Sequence, residues 1–221
     1  GDPRSGKISL GEEADTPRDI ASTTKIMTAY LVLQLVEREP ERLNERVTFS
    51  LNADQTIGST AGIRAGESAT VAEVLHGLML PSGNDAATAL SEHCGDWFPV
   101  DASAPEQTSA ERFIAAMNDT AQQLGMTKSR YVNPHGLTHR DHKSTAADQF
   151  RLARAALQLP RFRELIQTRQ YRCEVTGTEG YRRSVVWRNT NQLLGIEGYA
   201  GVKTGTTDAA GACLISLSQH D

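Results

Sequence analysis

The chain has 221 residues, of which 38% are hydrophobic and 23% are charged, a composition typical of a globular protein with one good-sized core or two small ones. Its formal net charge of -4 argues against a nucleic-acid-binding protein, because such proteins normally carry a basic excess or a basic stripe. No run of about 18 apolar residues is present, so no segment is predicted to span a membrane. The three cysteines are far apart, which predicts neither a disulfide framework nor a zinc knuckle.

The first predicted elements are a short strand and a buried helix. Residues 7–12 alternate polar and apolar side chains, the period of a strand. Ser22 then precedes a run from Ile26 to Val36 that is apolar nearly all round, which is typical of a helix buried at the centre of a domain. Pro40 cannot continue the helical hydrogen bonds, so the helix should end before it.

Residues 46–168 are predicted to be mostly helical, because capping patterns and helical periodicity recur there. Thr70 with Glu73 and Thr108 with Glu111 each form a capping box, in which two side chains satisfy backbone N–H groups at a helix start. The predicted helices cover residues 71–80, 86–93, 109–124 and 146–159, the last stopping at Pro160.

The last fifty residues change to short β-rich runs between glycine and asparagine turns. The predicted strands cover residues 171–176, 184–188, 201–204 and 212–218. Strands at both ends of the chain should pair into one antiparallel sheet, an α+β layout. We therefore predict a single domain over residues 1–221, with a sheet lobe at about 1–45 and 170–221 and a helical lobe at about 46–169.

Ser22 and Lys25 are a candidate nucleophile and base. Residues three apart at a helix start lie on one face, about one turn from each other, so the lysine amine can reach the serine hydroxyl. A serine hydroxyl is a poor nucleophile until a neighbour removes its proton, and a lysine can do so only when neutral. Taken alone the pattern occurs about once by chance in a chain of this size, and an N-cap serine followed by a surface lysine would also explain it.

Two further motifs give the pair its context. Ser82-Gly83-Asn84 falls in a tight turn between two predicted helices, where side chains can project into a cleft. Lys203-Thr204-Gly205 follows a strand-like run. Burial and a second ammonium both depress the pKa of a lysine, so Lys203 would help to make Lys25 neutral while itself staying charged.

The three motifs, in this order, resemble the active-site signature of the penicillin-recognising serine enzymes. Among these, the chain resembles the low-molecular-weight penicillin-binding proteins that are serine-type D-alanyl-D-alanine carboxypeptidases, over nearly all its length. The resemblance implies an α+β fold of the β-lactamase/DD-peptidase type, an antiparallel sheet flanked by helices with a mostly helical second lobe. The matching stretches are ASTTKIMTAY (21–30), LPSGNDAA (80–87), NPHGL (133–137), STA (144–146), NTNQLL (189–194) and GVKTGTTDAAG (201–211).

The resemblance also implies roles for the motif residues. Ser22 would be the nucleophile, Lys25 its base, and Ser82 a relay that passes a proton towards the leaving amine. The backbone N–H groups of Ser22 and Thr206 would hold the developing oxyanion. The remaining members of the predicted site would bind substrate. Asn84 would bind the substrate amide, and its terminal carboxylate would be held by Lys203, Thr204 and Thr206. Gly205 would let the strand approach the substrate backbone closely.

The implied reaction removes the terminal D-alanine of a peptidoglycan stem peptide through an acyl-enzyme, and β-lactams would acylate Ser22 by mimicking that dipeptide. No metal or organic cofactor is implied. The family's setting implies an extracytoplasmic protein, in the periplasm or on the cell surface of a bacterium. Resembling proteins continue beyond both ends, so we expect an incomplete catalytic domain, with any peripheral membrane attachment in a segment outside this sequence.

Several alternatives share parts of this pattern. A β-lactamase of the same superfamily would need a Glu-x-x-Leu-Asn stretch after the second motif, whereas the nearest match, Glu41-Arg42-Leu43-Asn44, precedes it with the wrong spacing. A β-lactam or muropeptide sensor that is acylated without turnover has the same motifs. D,D-Endopeptidases and transpeptidases use the same catalytic groups as carboxypeptidases, so the motifs do not separate these activities.

A metal hydrolase is a further alternative, because four potential ligands lie close together in the sequence at His135, His139, Asp141 and His142. Pro134 and Gly136 predict a loop rather than the helix that metalloprotease patterns require, which disfavours a metal. The loop segment Trp97-Phe98-Pro99 is an apolar patch to which the sequence assigns no function.

Overall fold

In the computed structural model, which describes residues 1–218, helix α1 (Lys25–Arg38) lies between five other helices. Its side chains are apolar nearly all round, and ten of its 14 residues are buried. The predicted central helix is therefore confirmed, and it ends two residues before Pro40 as expected. Its first turn is preceded by a 3₁₀ turn, Ala21–Thr24, that carries Ser22.

Five of the other six helices pack against α1, and none of the helices in residues 1–218 combines the length and hydropathy needed to cross a membrane. The other six helices are α2 (Leu51–Asp54), α3 (Val71–Met79), α4 (Asn84–Cys94), α5 (Ser109–Gln123), α6 (Ala146–Ala156) and α7 (Pro160–Gln167), with 3₁₀ turns at Pro40–Asn44, Gly95–Trp97 and Gln192–Gly195.

The capping boxes are confirmed. The Thr70 and Thr108 side chains each accept a hydrogen bond from the backbone N–H three residues on, and the glutamate side chains accept from the backbone N–H groups of these threonines.

The predicted helix 146–159 is too long. It ends at Ala156, and Pro160 starts a new helix instead of stopping the old one. Proline is tolerated at the first helical position because the N–H it lacks would have no partner there.

The strands form two antiparallel sheets rather than the single sheet that the sequence predicts. One has the order β1-β2-β3-β4 and the other pairs β5 with β6. The registers include Val47 opposite Ala69, Ser68 opposite Thr176, and Gly205 opposite Cys213. The strands are β1 (Arg46–Thr48), β2 (Ser68–Thr70), β3 (Gln170–Thr176), β4 (Arg182–Arg188), β5 (Tyr199–Thr207) and β6 (Gly211–Ser218).

The prediction of a strand at residues 7–12 is wrong, because this segment has no regular structure. Alternation produces a strand only where another strand supplies hydrogen bonds and a core accepts the apolar face. Here Leu10 is 90% exposed, so the apolar side chains of this segment are not packed on a core. The assignment of residues to a sheet lobe and a helical lobe stays a prediction.

Candidate active site

Ser22 and Lys25 lie in direct contact where the 3₁₀ turn passes into α1, with Lys25 Nζ 2.9 Å from Ser22 Oγ. Ser22 is partly exposed, whereas Lys25 is completely buried. A buried lysine is unusual, since burying an unpaired ammonium is costly. The arrangement excludes the alternative of an N-cap serine beside a surface lysine.

Three oxygen atoms surround the Lys25 amine. Its Nζ lies 2.9 Å from Ser22 Oγ, 2.6 Å from Asn84 Oδ1 and 2.9 Å from the carbonyl oxygen of His135. The two carbonyl-type oxygens can only accept hydrogen bonds, so they take both N–H bonds of a neutral amine. The remaining lone pair then faces Ser22, whose O–H can donate to it.

The electrostatic surroundings favour that neutral amine. Burial lowers the pKa of Lys25 well below its ordinary value, and the positive charge of Lys203 lowers it further, while the Asp85 carboxylate raises it. Loss of hydration destabilises the charged form because the interior solvates an ammonium poorly. Lys25 therefore has access to the form that can take up a proton.

The second and third motifs meet through another lysine contact. Lys203 Nζ donates to Ser82 Oγ and to the Thr204 carbonyl oxygen, both at 2.9 Å. Burial lowers the pKa of Lys203 to about 7. An anion bound beside it favours the ammonium, and the charged state of Lys203 stays a prediction.

Two non-glycine residues of the site have left-handed backbone conformations, Ala21 with φ 46° and Ser82 with φ 65°. Such conformations cost on the order of 1 kcal/mol and persist only where the surrounding structure fixes them. They occur immediately before Ser22 and at the first residue of the second motif. Both motifs are thus held in bends that their own side chains do not favour.

Strand β5 passes directly over the turn that carries Ser22. A Cβ placed on Gly205 would lie 2.6 Å from the backbone nitrogen of Ser22, which is closer than real Cβ contacts. Only glycine allows this approach of strand to turn. Thr204 is half-buried, with its Oγ1 3.2 Å from Thr190 Oγ1, and Thr206 is exposed at the rim.

The structure therefore brings the predicted site residues together in two contacting groups. One joins Ser22, Lys25 and Asn84, and the other joins Ser82, Lys203 and Thr204. Gly205 touches the first group through the backbone of Ser22, and Thr206 follows it on the same strand.

Sequence reasoning missed two members of the site. The first is the His135 carbonyl, because any residue supplies such an oxygen and the sequence carries no signal for it. The second is Asp85, which is buried and accepts hydrogen bonds from the Ala61, Gly62 and Ala86 backbone nitrogens and from the Thr60 hydroxyl. An acidic residue in the first turn of a predicted helix could have signalled it.

The loop that carries the four potential metal ligands uses their side chains differently. The Nδ1 atoms of His135, His139 and His142 each accept from a backbone N–H of the loop, all at 3.2 Å. Residues 1–218 contain no group of three histidine, cysteine or acidic side chains placed to hold a metal ion. The metal-hydrolase alternative thus has no support in the geometry.

The apolar patch Trp97-Phe98-Pro99 contributes to packing. The Arg42 guanidinium lies 4.6 Å from the Trp97 ring centre, and Phe98 meets Phe113 edge to face.

A family model described as D-alanyl-D-alanine carboxypeptidase matches residues 2–221. The chain belongs to this family. The D-alanyl-D-alanine carboxypeptidase of Streptomyces sp. (strain K15) is 35% identical over 91% of this chain and 68% of the relative. The D-alanyl-D-alanine carboxypeptidase DacF of Bacillus subtilis (strain 168) is 32% identical over 97% of this chain and 51% of the relative.

Solved structures support the fold. The crystal structure of the Streptomyces K15 DD-transpeptidase matches with a TM-score of 0.87 and 31% identity, over 99% of this chain and 82% of that one. The predicted family, fold class and enzyme class, a serine-type D-alanyl-D-alanine carboxypeptidase, are therefore confirmed. The chain spans 68% of the first of these relatives and about half of the second.

Proposed function

We propose that this chain carries the catalytic site of a carboxypeptidase that removes the terminal D-alanine from peptidoglycan stem peptides through an acyl-enzyme on Ser22. The observation that carries the proposal is the Lys25 amine, which is buried and lies 2.9 Å from Ser22 Oγ. Its two N–H bonds are directed to fixed oxygens, so its lone pair is available to the Ser22 proton.

Acylation follows from this arrangement. Lys25 takes the proton of Ser22 as its oxygen attacks the carbonyl of the penultimate D-alanine. The backbone N–H groups of Ser22 and Thr206 hold the oxyanion that forms. Ser82, whose hydroxyl lies 2.9 Å from Lys203 Nζ, passes a proton to the departing D-alanine amine and receives in its place the proton that Lys25 took from Ser22, which returns Lys25 to its neutral form. Water then attacks the ester, with Lys25 again as base.

Substrate binding in this proposal centres on strand β5. Lys203, Thr204 and Thr206 bind the terminal carboxylate of the peptide, and Asn84 binds its amide. An anionic substrate favours the charged form of Lys203, whose pKa is about 7 in the free protein. The negative charge of the substrate carboxylate would therefore favour the protonated Lys203 that binds it.

β-Lactams would acylate Ser22 and leave slowly. The Glu41-Arg42-Leu43-Asn44 stretch lies in the 3₁₀ turn beyond the far end of α1. The 14 residues of α1 separate it from Ser22 by on the order of 20 Å, so this glutamate cannot activate a deacylating water. Peptidoglycan as substrate places the protein outside the cytoplasm of a bacterium, with any membrane attachment through a segment outside this sequence.

The test is release of D-alanine from a diacylated tripeptide ending in L-lysyl-D-alanyl-D-alanine. We expect release by the wild type, with loss of at least about 1,000-fold in Ser22→Ala and in Lys25→Met. Lys7→Met is the matched control, because Lys7 is an exposed lysine outside the three motifs.

Other outcomes would replace the proposal. Penicillin labelling without D-alanine release would indicate a sensor. Cleavage restricted to cross-linked peptide dimers would indicate an endopeptidase. Penicillin hydrolysis many times per second would indicate a β-lactamase.

A further inference from the structure

The His135 carbonyl contributes to the site only while its loop stays in place. Thr28 Oγ1 donates to the Pro134 carbonyl at 2.6 Å, which ties the loop to α1. Asn133 closes the loop on itself, its Oδ1 accepting from the Gly136 nitrogen at 2.7 Å and its Nδ2 donating to the Leu137 carbonyl at 2.9 Å. The loop is therefore internally rigid, and its position depends on its contacts with the helix.

The loop also touches the turn that carries Ser22. Gly136 has φ 94°, and a Cβ at this position would lie 1.9 Å from the carbonyl oxygen of Ala21. Backbone meets backbone here, with no flexible side chain between them. A shift of the loop would consequently move either the Ser22 turn or the His135 carbonyl.

His142 bridges the turn and the loop. Its Nε2 lies 2.9 Å from Thr24 Oγ1, in the turn next to Lys25, and its Nδ1 accepts from the Val132 backbone N–H at 3.2 Å. The ring is 2% exposed and meets Tyr131 edge to face. His142 thus links Thr24, which precedes Lys25, to Val132, which precedes the loop.

Both ring nitrogens are committed in this bridge, which requires the neutral imidazole. Because Nδ1 accepts from an amide, the proton resides on Nε2 and is donated to Thr24 Oγ1. Burial lowers the pKa of His142 to about 4, opposed by Asp19, while His139 and Lys143 lower it further. The imidazole is therefore neutral throughout the range in which the enzyme would work.

We infer that Thr24 and His142 are positioning residues for the acylation step: their bridge keeps the His135 carbonyl on the Lys25 amine and so directs the amine's lone pair at Ser22. The inference rests on the proposed function, in which Lys25 is the base. Neither residue touches substrate. Without the bridge, the amine loses one of the two acceptors that set its orientation.

Three substitutions distinguish the hydrogen bond between His142 and Thr24 from the hydrogen bond between His142 and Val132. Thr24→Val removes the hydroxyl at nearly constant volume. His142→Asn keeps an acceptor near the Nδ1 position for Val132 and loses the bond to Thr24, whereas His142→Gln keeps a donor near Nε2 and loses the acceptor. His93→Gln is the matched control, because His93 pairs with Glu45 in another part of the molecule.

The measurement is the rate of labelling by a fluorescent penicillin, together with the final fraction of protein labelled. We expect each variant to be acylated about 10- to 100-fold more slowly and still to reach full labelling, because misplacement of reacting groups by about 1 Å costs on that order. Thr24→Val combined with His142→Asn should be no slower than either alone, since both break one bond. His93→Gln should react like the wild type.

A purely structural role would give a different pattern. It would lower the labelled fraction and leave the rate of the remaining folded molecules unchanged. That result, or variant rates within twofold of the wild type, would overturn the inference while leaving the proposed function intact. Absence of labelling in the wild type itself would overturn both.

Discussion

Replacing Gly205 with alanine tests the contact between strand β5 and the Ser22 turn. The new Cβ would lie 2.6 Å from the Ser22 nitrogen and 3.1 Å from both the Thr23 nitrogen and the Ala21 Cβ. None of these atoms is the end of a flexible side chain. The strand and the turn must therefore separate by about 0.8 Å to reach the 3.4 Å of ordinary contact.

The size of the effect follows from what the contact does. Overpacking of this kind costs about 1–3 kcal/mol of stability. In the proposed mechanism the separation also moves the Thr206 N–H away from the Ser22 N–H, and loss of one oxyanion donor would lower the acylation rate by about 100- to 1,000-fold. We expect a loss of activity in this range in a protein that still folds.

The assay is the rate of penicillin acylation, measured beside the melting temperature. Gly195→Ala is the matched control, because a Cβ there meets no atom within 4 Å. It should leave both quantities unchanged. A Gly205→Ala variant that is acylated within threefold of the wild-type rate would refute the reasoning that β5 and the Ser22 turn together form the oxyanion site.

Three further predictions concern buried charged or titratable groups. Lys25→Met should lower acylation at least about 1,000-fold. It should also lower the melting temperature, because Asn84 Oδ1 and the His135 carbonyl oxygen lose their hydrogen-bond donor. Below pH 6.5 stability should fall, because the unfolded chain protonates the buried histidines there and the folded one does not. The His142 pKa of about 4 is worth about 3 kcal/mol of this fall in urea titrations, and His142→Gln should remove that part and leave the part due to His135, whose pKa is about 3. Asp85→Ala should cost about 2–5 kcal/mol in urea unfolding, because the buried Ala61 N–H loses its acceptor; a cost below 1 kcal/mol would contradict this account.

Much of the candidate site was predictable because its signals are local. The apolar run after Ser22 determines a buried helix, and helical spacing brings Lys25 to the serine. The two capping boxes likewise depend on residues three apart. The approach of Lys203 to Ser82 spans 121 residues, so it could be expected only from the resemblance.

Features that depend on tertiary packing could not be predicted. The strand expected at residues 7–12 lacks a partner and a buried face, and neither condition can be read from alternation alone. The low pKa of Lys203 arises from burial, which the sequence does not specify. The His135 carbonyl and the Thr24–His142 bridge depend on where the loop folds back onto α1.

The role of Ser22 as nucleophile is tested by peptide mass spectrometry after incubation with penicillin. We expect a mass increase equal to one intact penicillin, confined to the peptide containing Ser22 and absent from Ser22→Ala. An adduct on any other residue, or no adduct in the folded wild-type protein, would contradict it.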